Sequence, residues 1–298
     1  MISLRASSPD FAGAQSGLRS PDPVETQTHS AAVARAGKEG APSRSRGRAT
    51  LTSLSLLGND FATTSKPAKV STMLQKLLDR WTRPSGRGDS ETSARKKMFA
   101  DIHAGKLWGV DCESVSGPGS GVARASLFRA DFERLLQELS IGVMLDAGCG
   151  DFNWLPTFDL RGTRVVGVDI VPELISGNRL RHPASRFELA DIVVDPLPKT
   201  DLILCRDGLV HLSNADIVKA LGNFRRSGAK WLLTNTFVDR SENPDIVSGG
   251  WRPLNMRLPP FALPAPYRII DEYCLGYEGA YRDKRLAVWP CNQLPHAR

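Results

Sequence analysis

Apolar residues at Met98, Phe99, Ile102 and Leu107 repeat at helical spacing, which predicts a helix from about Ser93. A Gly/Ser stretch, Glu113–Gly121, interrupts the pattern. Leu127, Phe128, Phe132, Leu135 and Leu136 then share one side of a helix over roughly 122–139. Beyond it the period changes. Short apolar runs stand at 142–145, 164–168, 186–189, 202–205 and 231–234, and helical segments fit between them. Short strands alternating with helices imply βαβ units, hence a parallel sheet covered on both faces. The fold class expected is α/β, with one domain over 93–298.

The first 92 residues pattern differently. Met73, Leu74, Leu77, Leu78 and Trp81 recur at spacings of three and four. They predict a short amphipathic helix over 71–82, capped by Ser71 or Thr72. Pro84, Gly86 and Gly88 end it, so 71–92 reads as helix and linker. In residues 1–70, Ser, Thr, Ala, Gly and Pro supply 39 positions, and Trp and Tyr are absent. Such a stretch buries too little apolar surface to offset its ordering entropy, so a disordered leader is expected. It lacks the apolar core of a secretory signal peptide. Its Ser/Ala/Arg flavour leaves open a type III secretion signal, a transit signal or an unselected tail.

Charge narrows the partners. The whole chain carries +7, but residues 1–90 hold 13 Lys and Arg against 7 Asp and Glu. Residues 91–298 hold 26 against 25 and are nearly neutral. A polyanion-binding surface on the folded part is not supported, so nucleic acid is not the expected partner. No apolar run approaches the roughly 20 residues of a membrane span. Five cysteines without a CxxC pair, and scattered histidines without HExxH, point to a reducing, cytoplasmic setting and to no metal site.

The strongest chemical signal is Val143-Met144-Leu145-Asp146-Ala147-Gly148-Cys149-Gly150-Asp151. An apolar strand runs into an acid and then Gly-x-Gly, whose glycines permit a tight turn and close ligand approach. The first strand-to-helix loop of an open α/β sheet holds nucleotide-like ligands. A dinucleotide fingerprint needs a third glycine where Asn153 stands, which counts against a nicotinamide-dependent oxidoreductase. An acid before the first glycine suits a cationic ligand better than a phosphate. Asp169 ends the second strand, 23 residues after Asp146, where a carboxylate can accept both ribose hydroxyls. Asp191 and Ile192 follow the third strand, placed for an adenine amino group and ring. The fourth strand ends in Cys205-Arg206-Asp207, with His211 four residues on.

Together these residues resemble class I S-adenosylmethionine-dependent methyltransferases. More narrowly, the chain is similar to a bacterial family marked by four segments. They are present here as Glu113–Ser120, Asp146–Trp154, Cys205–Leu212 and Gly249–Asn255. The resemblance spans about residues 95–290. It implies a Rossmann-like class I fold, a mostly parallel seven-stranded sheet with helices on both faces, and S-adenosyl-L-methionine as cofactor. Asp146 with Gly148 and Gly150 would then face the methionine part and ribose, Asp169 the ribose hydroxyls, and Asp191 and Ile192 the adenine. Segment Ser114–Ser120 would form a flap over the cofactor.

Methyl transfer to a hydroxyl needs a general base. His211 is the candidate and Asp207 the residue to orient it. Trp251 and Arg252 are expected in the acceptor wall. Cys149 and Cys205 are assigned to packing. No motif of an exocyclic-amine or cytosine methyltransferase follows strand four, so a small or carbohydrate-like acceptor, methylated at oxygen, is expected. The alternative is a non-catalytic domain that binds the cofactor or a partner, a secreted effector among the forms it could take.

Overall fold

The computed structural model describes residues 91–109, 112–275 and 279–296. The leader over 1–70 and the helix over 71–82 lie outside these residues. The first described element is α1 (Glu91–Ala104), which takes in the last two residues of the expected linker. The single helix expected over 122–139 is instead three pieces: α2 (Val122–Ala125), a 3₁₀ turn (Ser126–Phe128) and α3 (Arg129–Glu138).

Seven strands follow: β1 (Val143–Ala147), β2 (Arg164–Asp169), β3 (Arg186–Leu189), β4 (Leu202–Cys205), β5 (Trp231–Phe237), β6 (Arg268–Asp271) and β7 (Lys284–Pro290). Helices α4 (Pro172–Arg181) and α5 (Asn214–Arg226) connect β2 to β3 and β4 to β5. The sheet order is β3-β2-β1-β4-β5-β7-β6. All observed pairings are parallel except those of β7, which is antiparallel to both β5 and β6. This is the mostly parallel seven-stranded, Rossmann-like fold that the sequence implies.

The side-chain period of two splits each strand between two cores. Leu145, Ala147, Ile203, Cys205 and Leu232 face a core shared with Ile217, Leu221 and Phe224 of α5. Met144, Leu202, Leu204 and Leu233 face the opposite core, shared with Phe132, Leu135 and Leu136 of α3 and Ile175 of α4. Burial on both faces is why these strands read as unbroken apolar runs. A third, small cluster joins Met98, Ile102 and Leu107. No helix among the described residues is long and apolar enough to cross a membrane.

Chain order reverses between β1 and β4, which are neighbours although β2 and β3 intervene in sequence. A crevice at the carboxyl ends of strands is expected at such a reversal.

Candidate active site

A cleft with about 880 Å³ of empty space, part of it open to solvent, lies at this reversal. Its floor is Gly148 and Gly150 after β1, Asp169 at the end of β2, and Asp207 and Gly208 after β4. Ile170, Val171, Leu174, Ile192 and Leu212 give it apolar walls.

Backbone conformation explains the glycines. Gly148 has φ +81° and Gly150 φ +55°, both in the left-handed region. A Cβ on Gly148 would meet nothing nearer than Gly208 at 4.0 Å, so its bare backbone opens onto the cleft. A Cβ on Gly150 would lie 2.2 Å from Ser116 Oγ. The Gly150 amide donates to Asp169 Oδ2 (3.0 Å), and Val171 N donates to Asp169 Oδ1 (3.0 Å). The carboxylate also accepts from Ile170 N, so its two oxygens keep one further acceptor position between them.

Asp146 and Asp169 are both buried. Burial raises the Asp146 carboxyl to about 7; the Asp169 charge adds to this and Arg206 opposes it. Burial likewise raises Asp169 against hydrogen bonds from Val171, Gly150 and Ile170. Two carboxylates held above their ordinary range make a site that a cationic ligand would relieve. These residues fit a ligand carrying a sulfonium or ammonium and a ribose. Burial also pushes Cys205 up to about 12 and raises Cys149 well above the ordinary thiol range, which leaves both as thiols suited to packing.

Chain that precedes the sheet completes the cleft. Arg95 of α1 donates to Asp191 Oδ2 from Nε (3.0 Å) and Nη2 (2.7 Å), and to Asp216 Oδ1 from Nη1 (3.1 Å). Asp191 therefore anchors α1 as well as lining the cleft. Its Oδ1 accepts only from Val193 N (2.9 Å) and retains one acceptor position. The flap sits on the glycine loop through Asp151. That carboxylate accepts from Ser114 Oγ (2.8 Å), Val115 N (3.0 Å) and Ser116 Oγ (3.0 Å). Asn153 Nδ2 adds bonds to Glu113 Oε1 (2.7 Å) and Ser120 O (3.1 Å). Arg206 Nη1 holds Gly119 O (2.8 Å) from below.

The end of β4 departs from expectation in one respect. Asp207 does not orient His211. It sits at φ +57°, and its carboxylate pairs with Lys284 Nζ at 2.7 and 2.8 Å. Burial alone would raise it, but Lys284 and Arg206 hold it down at about 2. His211 lies in a 3₁₀ turn (Leu209–His211), ahead of the α5 cap at Ser213. Its Nδ1 is 2.8 Å from Gly250 O. A carbonyl only accepts, so Nδ1 carries the proton and Nε2 is the free base. The Trp108 ring stacks on the imidazole, with centroids 4.0 Å apart and planes at 24°. Burial lowers His211 to about 4, against the Gly250 hydrogen bond and the Asp207 charge.

Trp251 and Arg252 do not line the cleft, which corrects their assignment. Arg252 is buried, and its guanidinium donates to Pro244 O, Val210 O and Asn214 Oδ1 at 2.8–3.1 Å. It braces the loop after β5 and has no fork left for an acceptor. Trp251 is 40% exposed and packs edge-on against Phe237 and Tyr281. The backbone beside them matters more: Gly249 N donates to His211 O (2.7 Å) and Arg252 N to Val210 O (3.2 Å). Three of the four sequence segments line the cleft, and the fourth, Gly249–Asn255, reaches it through its contacts to His211 and Val210. Arg95, Asp151, Lys284 and the Gly250 carbonyl were not expected at the site. Asp151 and Gly250 stand inside two of the four segments; Arg95 and Lys284 bear no local signal.

Known proteins place the same region. Residues 144–229 match a family described as "Methyltransferase domain". The chain is 35% identical over 111 residues to a malonyl-[acyl-carrier protein] O-methyltransferase of Serratia marcescens, covering 36% of this chain and 44% of that protein. It is 30% identical over 144 residues to the enzyme of the same name from Yersinia pestis, covering 43% and 54%. The chain thus spans about half the length of these curated relatives. Among solved structures, a TehB-like SAM-dependent methyltransferase from Corynebacterium glutamicum is 25% identical, covering 37% of this chain and 64% of that one, with TM-score 0.32. The matched residues run from β1 to just before β5 and take in Gly148, Gly150, Asp169, Asp207 and Gly208 of the cleft floor.

Proposed function

We propose that the chain transfers a methyl group from S-adenosyl-L-methionine to a small-molecule or carbohydrate-like acceptor, at oxygen. The observation that carries this reading is the pair of buried carboxylates, Asp146 and Asp169, beside an open glycine cradle where the sheet order reverses. The cofactor supplies a methyl on a sulfonium, which leaves as a neutral thioether. Asp146 and the Gly148–Gly150 backbone would hold its methionine part and ribose, and Asp169 its ribose hydroxyls. Ile192, with the free acceptor position of Asp191, would hold its adenine.

The chain's own share of the chemistry lies at the end of β4. His211 Nε2 takes the acceptor's hydroxyl proton, while the Gly250 carbonyl keeps the other nitrogen protonated. Asp207, ionised and lining the same cleft, stabilises the imidazolium as it forms. The flap and α1 exclude water and align the acceptor. The name shared by the curated relatives supports oxygen as the acceptor atom.

Calorimetric titration of the full chain with S-adenosylmethionine and S-adenosylhomocysteine tests the reading. Micromolar binding of both, abolished in Asp146→Ala, is expected. Absence of binding to either would sink it.

A further inference from the structure

We infer that Trp108 is the positioning residue for His211, and that the base is assembled only when residues 91–109 are seated on the sheet. This rests on the methyl-transfer reading for the task given to His211, not for its geometry.

Two contacts fix the imidazole ring. One is the Gly250 carbonyl on Nδ1 (2.8 Å) and the other is the Trp108 face (4.0 Å between centroids). A side chain with one hydrogen bond can still swing about it; a stacked indole removes that freedom. Trp108 is itself backed by Phe99 of α1, edge-on at 5.8 Å. The carbonyl contact also reports on α1. Gly249 N donates to His211 O, and a Cβ on Gly249 would lie 2.7 Å from Met98 Cγ and 3.2 Å from Ile102 Cδ1. Gly249 has φ +102°, a conformation that glycine adopts freely. The turn that presents the Gly250 carbonyl is therefore packed tightly against α1. Arg95 then fastens α1 to Asp191 on the cofactor side and to Asp216 on α5.

The charged groups around the ring come from several elements. Asp207 and Arg206 stand at the end of β4, Arg252 after β5 and Lys284 on β7. Arg95 and His103 line the same cleft from α1. None of these makes a hydrogen bond to the imidazole among the described residues. Withdrawal of Trp108 thus changes the ring's solvation and freedom while leaving the charge set in place.

The test uses the full-length protein labelled with ¹⁵N-histidine, read by long-range nitrogen–proton NMR across pH. Wild type is expected to show His211 as the Nδ1–H form with a midpoint near about 4. Trp108→Ala should raise that midpoint by one unit or more, towards the ordinary ~6.5 of imidazole, and average the two tautomers. Trp108→Phe keeps a ring to stack and should restore the wild-type signal. Trp108→Leu, of similar bulk but without the stack, should behave like the alanine variant and serves if Trp108→Ala does not fold. Gly249→Ala, which pushes on Met98 with Trp108 intact, should also shift His211. An unchanged midpoint and tautomer in the folded Trp108→Ala or Trp108→Leu protein would overturn the inference. Failure of wild type to bind S-adenosylhomocysteine would instead overturn the methyl-transfer reading and leave the His211 measurement standing.

Discussion

The acids in and next to the cleft read differently from one another although all end strands or follow them; Asp146 is buried and is not among the lining residues. Asp146 is held near about 7, whereas Asp207 is held near about 2. The difference is local: Asp146 has another carboxylate, Asp169, for a neighbour, while Asp207 has Lys284. A cationic cofactor needs Asp146 ionised, so S-adenosylmethionine should bind about tenfold more tightly at pH 8 than at pH 6. Calorimetry at the two values checks this, and Asp146→Asn should flatten the dependence while weakening binding throughout. The neutral His211 makes a second residue-scale prediction. Once an acceptor is in hand, His211→Gln should lower kcat by about 10²–10⁴-fold with cofactor affinity unchanged. With S-adenosylmethionine saturating, the acid limb of kcat/KM for the acceptor should fall near pH 4 and not near 6.5.

At the scale of elements, the strands were legible because burial on both faces makes them continuous apolar runs. Arg186–Leu189 and Leu202–Cys205 stand where the pattern puts them, and β1, β2 and β5 run one to three residues past it. β6 was not legible: its apolar run is only Ile269-Ile270, closed by Arg268 and Asp271, and Ile269 is 48% exposed. The glycine loop and its acids were legible because close ligand approach restricts which residues can stand there. What joins the elements was not. Arg95 meets Asp191 across 96 positions, and Lys284 meets Asp207 across 77, separations that no periodicity reports. Pairing of Asp207 with a distant lysine is also why its expected role beside His211 failed. The flap supplies an element-scale test. Asp151→Ala removes the acceptor for Ser114, Val115 and Ser116, leaving Val115 N without a partner. It should cost about 1–3 kcal/mol in chemical denaturation and speed proteolysis of the flap. In the core beneath it, Phe132→Ala, fully buried among Phe128, Trp154 and Phe158, should cost about 3–5 kcal/mol.

For the whole molecule Asp146 and His211 act on stability with opposite sign. The Asp146 carboxyl is raised by folding, so the folded state binds its proton more tightly, and stability falls as pH rises from about 4 to about 7. His211 is lowered by folding, so its contribution rises with pH between about 4 and about 6.5. The windows overlap and largely offset in wild type. Denaturation midpoints of Asp146→Asn should therefore climb between pH 4.5 and 6.5 more steeply than those of wild type, and those of His211→Gln should decline. Parallel pH profiles for all three would contradict this account of the site's electrostatics.

The sheet order also sets a timetable. β7, the last strand along the chain, lies between β5 and β6 and makes the long antiparallel register from Trp231–Pro290 to Phe237–Lys284. A ribosome delivers β1 to β5 well before residues 284–290 emerge. Until then the nascent sheet presents the open edge of β5, with Leu232 and Leu233 on either face and unpaired amides between them, the kind of edge that invites pairing with another chain. Closure of the sheet waits for the final strand, and protection of the growing chain from aggregation falls to that interval of synthesis.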